Sequence, residues 1–364
     1  MRKKLTRVRI QIQKKPFISL LILGFFIWLF WTLWATYKAN NTGFNAKTLW
    51  DWMELLIIPI VLAIGVWWLD RNEKRVELEI ANERIQTERK IAFEQLQEAT
   101  IQAYLDRMTN LLLEANLRAS AEDDEVRSIA RSRTLTVLRS LDATRKGALL
   151  RFLYESDLIS NEKKVVYLKG ADLNQCDLIK ANLRWANLSW ASLKAAKLTR
   201  ALLNGADLTG AQLSSADLGD AKLPGATLRL AILLEAKLTN ADLSSADLQD
   251  ANLEGAILRL THLGKANLRA ANLSSCDLSQ ADLTETNLTR ANLSNSRLNG
   301  VNFTNANLTG AILKNADLTE ANLNGADLSL ADLTGARIDI QQLGQAKSLV
   351  VAIMPNGHPY QAKS

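Results

Sequence analysis

From Leu168 to Ile338 a large apolar residue stands at every fifth position, 35 in all; 33 are Leu, and Phe303 and Ile338 are the others. An Ala or another small residue stands two positions before almost every one. Neither the helical period nor the two-residue period of a strand keeps every fifth residue on one side for so long. The pattern therefore predicts a solenoid that turns a corner every five residues.

Upstream the pattern is different. Between Lys15 and Lys38 lie 22 uncharged residues, Pro16 to Tyr37. At 1.5 Å per helical residue this is about 33 Å, enough to span a bilayer. A second stretch, Trp50 to Leu69, is uncharged only from Leu55 onward, so it spans if Asp51 and Glu54 sit at headgroup level beside Trp50 and Trp52. The first segment is too long for the apolar part of a cleaved secretory signal, and no small-residue cleavage site follows within reach, so its retention is expected. Seven Lys and Arg precede the first span, and Arg71, Lys74 and Arg75 follow the second, against only Lys38 and Lys47 between them. This imbalance places both termini on the cytoplasmic side.

The organisation that follows is a basic cytoplasmic N-terminus over 1–15, spans over 16–37 and 50–69 joined by a short non-cytoplasmic loop over 38–49, and a stalk helix over 70–118. A helical cap follows over 119–160, then the repeat over 165–338, and a C-terminal cap and tail over 339–364. The stalk is rich in Glu, Arg, Gln and Ala and has no Gly or Pro from Asp70 to Leu113. Leu78, Ile85 and Ala92 keep a loose heptad, which leaves open a coiled coil between protomers or a solvated, charge-laced helix. Ser120 to Asp123 resembles a capping box ahead of the next helix, and Asp142 can cap a further helix with the apolar residues Leu149, Leu150, Phe152 and Leu153. A solenoid needs its open end covered, and this last helix stands where such a cap belongs.

The repeat reads A(D/N)LXX, as in ADLTGAQLSSADLGDA and ANLSNSRLNGVNFTNANLTGA. It resembles the pentapeptide-repeat family, particularly membrane-anchored members like those common in cyanobacteria. The resemblance implies a mainly β fold, a right-handed quadrilateral β-helix with four pentapeptides per coil, here preceded by two transmembrane helices and cytoplasmic α-helices. It also implies that the central Leu and the preceding small residue point inward.

A coil of four pentapeptides stacks positions 20 apart about 4.8 Å from one another, so the array makes nearly nine coils over about 41 Å. Along one face the residue before the central one runs Asp177, Lys197, Asp217, Lys237, Ile257, Asp277, Arg297, Asp317 and Arg337. Its charge alternates with one interruption, a ladder that favours this coil length, each exposed rung contributing a few tenths of a kcal/mol. On this reading Lys237→Asp lowers the melting temperature more than Asn267→Asp on the neighbouring face. The core column includes Leu173, Leu208, Leu243, Leu253, Leu283, Phe303 and Leu318, each burial contributing roughly 1.5 to 3 kcal/mol. The Ala column marks an interior too narrow for more, so Ala246→Leu is expected to overpack while Ser245→Ala hardly registers in a circular-dichroism melt.

Cys176 and Cys276 occupy the small inward position five coils apart, about 24 Å, too far for a disulfide. After Ile338, Asp339 can cap a short helix, and Leu349 to Met354 with the turn PNG forms a closing segment that shields the last coil from end-to-end stacking.

Composition narrows the chemistry. No phosphate loop, CxxC pair, HExxH or GxSxG occurs, and the two His, His262 and His358, have no partner ligand in their coils. The sequence thus predicts no enzyme, no cofactor and no metal site. The Asn and Asp columns are the repeat's own turn residues. One departure is Trp185 with Trp190, at successive outward corners where the rest of the array carries mostly small, polar or charged residues. They mark either a protein interface or a contact with the capping helix around Phe152.

The preferred functional reading is a non-catalytic scaffold, held in the bilayer by its two spans, that presents a rigid rod to a protein partner in the cytoplasm. A homo-oligomer through the stalk helix or the rod is open. The family resemblance offers DNA mimicry toward a type II topoisomerase as an alternative. That activity wants a strongly negative rod, and residues 166–340 carry 16 Lys and Arg against 18 Asp and Glu. This balance also argues against nucleic acid as partner. An accessory role in membrane export is the third reading.

Overall fold

The computed structural model describes residues 28, 31, 34 and 35, residues 46–160 and residues 165–361. The chain divides into two compact units, Met1–Arg89 and Lys90–Ser364. The longest element is helix α1, Ala46–Leu113, with Pro59 inside it. It begins within the stretch expected to be a loop over 38–49, because no Gly or Pro separates Ala46 from the apolar run. Ile57, Ile60, Val61, Leu62, Ile64, Val66, Trp67, Trp68 and Leu69 are all exposed. Among the described residues no helix is long and apolar enough to cross a membrane. The first expected span, 16–37, lies outside the described residues apart from positions 28, 31, 34 and 35, and of the second only 57 and 59–69 are described with their side chains.

In the second unit, the last turns of α1 pack on α2, Glu125–Ser140, and α3, Ala143–Glu155, follows. Ile101, Tyr104 and Met108 are buried, and the Tyr104 hydroxyl lies 2.8 Å from Thr134 Oγ1. Burial pushes the Tyr104 phenol well above its ordinary pKa. Gln97 ties α1 to the α2–α3 corner, donating to the Ser140 carbonyl at 2.8 Å and accepting from the Asp142 amide at 2.9 Å. Asp142 caps α3, its carboxylate accepting from the Arg145 amide. The capping box expected at Ser120 to Asp123 does not form. Ser120 Oγ donates back to the Leu117 carbonyl, and Asp124 is the residue that enters α2.

The repeat forms a four-sided solenoid. Parallel bridges join residues 20 apart from Asp172↔Ser192 to Asp317↔Arg337. Each pentapeptide places its N–H groups the same way. In one turn the Leu173 amide donates to Ser192 of the next coil, the Ser192 amide returns to Ala171, and the Cys176 amide closes the turn on Leu173. This leaves the amide after the Leu without a backbone acceptor, and where Asp or Asn precedes the Leu its side chain supplies one. Asn174 N donates to Asp172 Oδ1 at 3.1 Å, and Ser244 N to Asp242 Oδ1 at 3.2 Å. Asp and Asn recur before the Leu because their short side chains reach this donor.

Inside, the Leu column and Phe303 are almost fully buried, as is the small column. Hydroxyls in the small column are satisfied: Thr261 and Thr286 donate to the Leu238 and Leu263 carbonyls. Cys176 and Cys276 are free and buried, and burial pushes both thiols up to about 12.

Both ends of the solenoid are closed. At the first coil the Asp177 amide donates to Ala143 O of α3 and the Asn187 amide to Ile159 O, two edge donors that no earlier coil could receive. Gly147 of α3 faces the Asp177 carbonyl so closely that a Cβ there would fall on it. Lys146 Nζ meets Asp172 Oδ2 at 3.0 Å. At the far end α4, Ile340–Leu343, is opened by a capping box on Asp339. Gln342 donates to the Leu318 and Ala321 carbonyls, and the helix adds one residue to the coil, so the last parallel bridges are Asp327↔Ser348 and Asp332↔Ile353.

Candidate interaction surface

The rungs that alternate in charge do stack: the bridges run Asp177↔Lys197, Lys197↔Asp217, Asp217↔Lys237 and on to Asp317↔Arg337. Their side chains seldom meet. Among the described residues only Arg297 and Asp277 of this column reach ion-pair distance, at 3.9 Å. The carboxylates turn back on their own corners instead, Asp277 Oδ1 accepting from the Ser279 amide at 3.1 Å and Asp217 Oδ1 from the Gly219 amide at 3.1 Å. The opposite face and one neighbouring face carry the direct rungs. Asn267 Nδ2 donates to Asp247 Oδ1 at 2.9 Å and Asn287 Nδ2 to Asn267 Oδ1 at 3.1 Å, while Asn292, Asn272 and Asn252 form a second amide ladder.

This corrects the order of effects expected from charge alone. Asn267→Asp removes a donor and sets a carboxylate beside Asp247, so it is expected to cost about 1 kcal/mol. Lys237→Asp breaks no side-chain hydrogen bond or ion pair among the described residues, and the exposed carboxylate it stacks on Asp217 costs a few tenths. Thermal melts of the two variants check this, and a larger loss for Lys237→Asp would restore the charge ladder.

Hydrogen bonds also tune the carboxylates near the far end. The Thr319 hydroxyl holds Asp317 below the usual carboxylate range, and the Ser329 hydroxyl does so for Asp327. At Asp332 burial opposes ionisation, and hydrogen bonds from Thr334 together with the Lys314 ammonium outweigh it. A carboxyl whose folded pKa is depressed adds stability above its unfolded pKa, about 3.9, and loses it as pH falls through the folded value. The melting temperature is therefore expected to hold from neutrality to about pH 5 and to fall below about pH 4. Asp317→Asn, which keeps the acceptor for Thr319, should flatten part of that fall.

Trp185 and Trp190 remain 61% and 47% exposed, so α3 buries neither ring. Both are corner residues with positive φ, 59° and 58°. The Trp185 ring lies over Gly205 and the Trp190 ring over Gly210, where any Cβ would collide with the indole. Each glycine stands one coil beyond its Trp, so the bare corner makes room for the ring. Lys169 Nζ sits 5.6 Å from the centre of the Trp190 ring. Asn204 Oδ1, beside Gly205, is buried and has no hydrogen-bond partner among the described residues. Among the described residues no cluster of His, Cys, Asp and Glu could hold a metal ion.

The stacked four-sided coils define a protein of the β-solenoid class. The family described as pentapeptide repeats matches in eight copies, over residues 166–194, 191–229, 225–259, 266–305 and 302–338. The chain belongs to this family. It is 38% identical to HetL, a pentapeptide repeat protein from the cyanobacterium Nostoc sp. Strain PCC 7120, over 53% of this chain and 86% of HetL, with a TM-score of 0.51. Rfr23 from the cyanobacterium Cyanothece 51142 is also 38% identical, over 30% of this chain and 64% of its own, with a TM-score of 0.19. QnrB1, a plasmid-mediated fluoroquinolone resistance protein, is 19% identical over 42% of this chain and 89% of its own, with a TM-score of 0.30. No curated protein sequence matches the chain.

Proposed function

We propose that this protein is a non-catalytic, membrane-anchored scaffold whose repeat rod offers a face to a protein partner in the cytoplasm. The observation that carries the reading is the division of labour on the rod. Leu and Ala fill the interior and Asp and Asn serve their own turns, while Trp185 and Trp190 are held on rigid corners with most or nearly half of their surface open. Large rings ordered in advance lose little entropy on binding. HetL, a relative that shares this fold, is involved in heterocyst differentiation regulation, and a regulatory use of such a rod agrees with the reading. The anchor is supported by the uncharged run over 16–37 and the exposed apolar residues from Ile57 to Leu69.

Fractionating cells that carry either the full chain or residues 90–364 tests the proposal. The full chain is expected in carbonate-washed membranes with a stoichiometric protein partner, and the shorter chain in the soluble fraction with the same partner. A full chain that washes off the membrane would contradict the anchor, and a rod that recovers no partner would contradict the scaffold.

A further inference from the structure

The near-neutral balance of the rod hides a polarity. The first two coils, residues 166–205, carry six Lys and Arg against two Asp, whereas residues 206–338 carry ten against fifteen Asp and Glu. Both anions of the basic end are committed. Asp172 meets Lys146 at 3.0 Å, and Asp177 Oδ1 accepts from the Ile179 amide at 3.2 Å. Among the described residues the side chains of Lys180, Arg184, Lys194 and Lys197 form no ion pair or hydrogen bond, and all four are exposed. Farther along, by contrast, Arg229, Lys265 and Lys314 pair with Asp247, Glu285 and Asp332. The unpaired cations share their two coils with Trp185 and Trp190.

We infer that this basic, aromatic end of the rod docks an acidic protein segment that also carries apolar side chains. The inference rests on the scaffold reading and gives its partner a chemistry. Carboxylates would find Arg184 beside Trp185 and Lys194 at the corner after Trp190, neither paired among the described residues, and apolar side chains would find two indole faces already fixed over Gly205 and Gly210. Trp and Arg are the residues most enriched at the energetic centres of interfaces, and complementary charge speeds encounter. A nucleic acid carries its charge uniformly, so its phosphates would run onto the acidic coils beyond Gly205. A protein segment can confine its carboxylates to a short block.

The test uses the full chain in micelles of a neutral detergent. The probe is a short fluorescent peptide of Glu with interspersed Phe, beside its Gln counterpart. The acidic peptide is expected to bind, more weakly as salt rises, and the Gln peptide to bind little. Trp185→Ala with Trp190→Ala, and separately Arg184→Glu with Lys194→Glu, should each weaken binding about 10-fold or more while leaving the melting curve in place. The inference is overturned if both variants bind the peptide as the parent does or if the Gln peptide binds equally. It is also overturned if oligothymidylate or phosphatidylglycerol in mixed micelles displaces the peptide and binds more tightly through the same residues. Failure here is separable from failure of the scaffold: a cellular partner kept by both variants sinks the acidic docking site alone, whereas a chain that recovers no partner sinks the scaffold as well.

Discussion

Phe303→Ala is expected to lower the stability of the rod by about 3–5 kcal/mol, the largest loss from any single truncation in the core column. Phe303 is fully buried and the bulkiest fully buried side chain among the described residues, standing in a column otherwise made almost wholly of Leu. The coil cannot collapse around the gap, because the Phe303 amide is bonded to Asn322 of the next coil and the Ala306 amide to the Phe303 carbonyl. The cavity therefore persists and its lining loses packing as well as hydrophobic transfer. A circular-dichroism melt gives the loss, and amide exchange locates it. Exchange should rise first in the coils on either side, since each coil touches only its neighbours. A variant that melts with the parent would mean that the column is not the source of stability.

Gly147→Leu is expected to lift α3 from the first coil. A side chain at this position has nowhere to go, because the Asp177 carbonyl occupies the place of its Cβ and that carbonyl belongs to rigid backbone. Overpacking of this kind costs about 1–3 kcal/mol even where side chains can move. The consequence is specific. The Asp177 amide loses Ala143 O, the Asn187 amide is placed at risk of losing Ile159 O, and the open edge of the solenoid becomes available to other chains. Hydrogen exchange should show the Asp177 and Asn187 amides losing protection while those near Phe303 keep theirs. Equal protection in parent and Gly147→Leu would contradict the capping role of α3.

Much of this fold was legible because its strongest constraint is periodic. A corner every five residues is the one geometry that keeps Leu168 to Ile338 inside, and Asp142 and Asp339 sit where caps must. What escaped depends on where a side chain turns. Asp217 and Lys237 stack as their spacing implies, but Asp217 reaches the Gly219 amide rather than the lysine. Charge sign along a column says nothing about that competition. The amide ladder through Asn267 was hidden for the opposite reason, since an abundant residue looks like grammar until its donors are followed. Ser120 resembled a cap, yet its hydroxyl is used by the turn at Leu117. Some signals were present and unread: Gly205 and Gly210 each follow a Trp by one coil, and Gly147 stands inside a helix of otherwise good helix formers. The membrane spans rest on sequence, with 16–37 largely outside the described residues.

The scaffold reading is tested most directly by crosslinking in the membrane followed by mass spectrometry, with the full chain set beside a chain truncated after Ile159. The account predicts one stoichiometric partner, crosslinked to the coils around Trp185 and Trp190 and lost with the rod. Recovery of this chain alone, linked to itself through residues 70–113 in both samples, would contradict it and identify a self-assembling membrane structure instead.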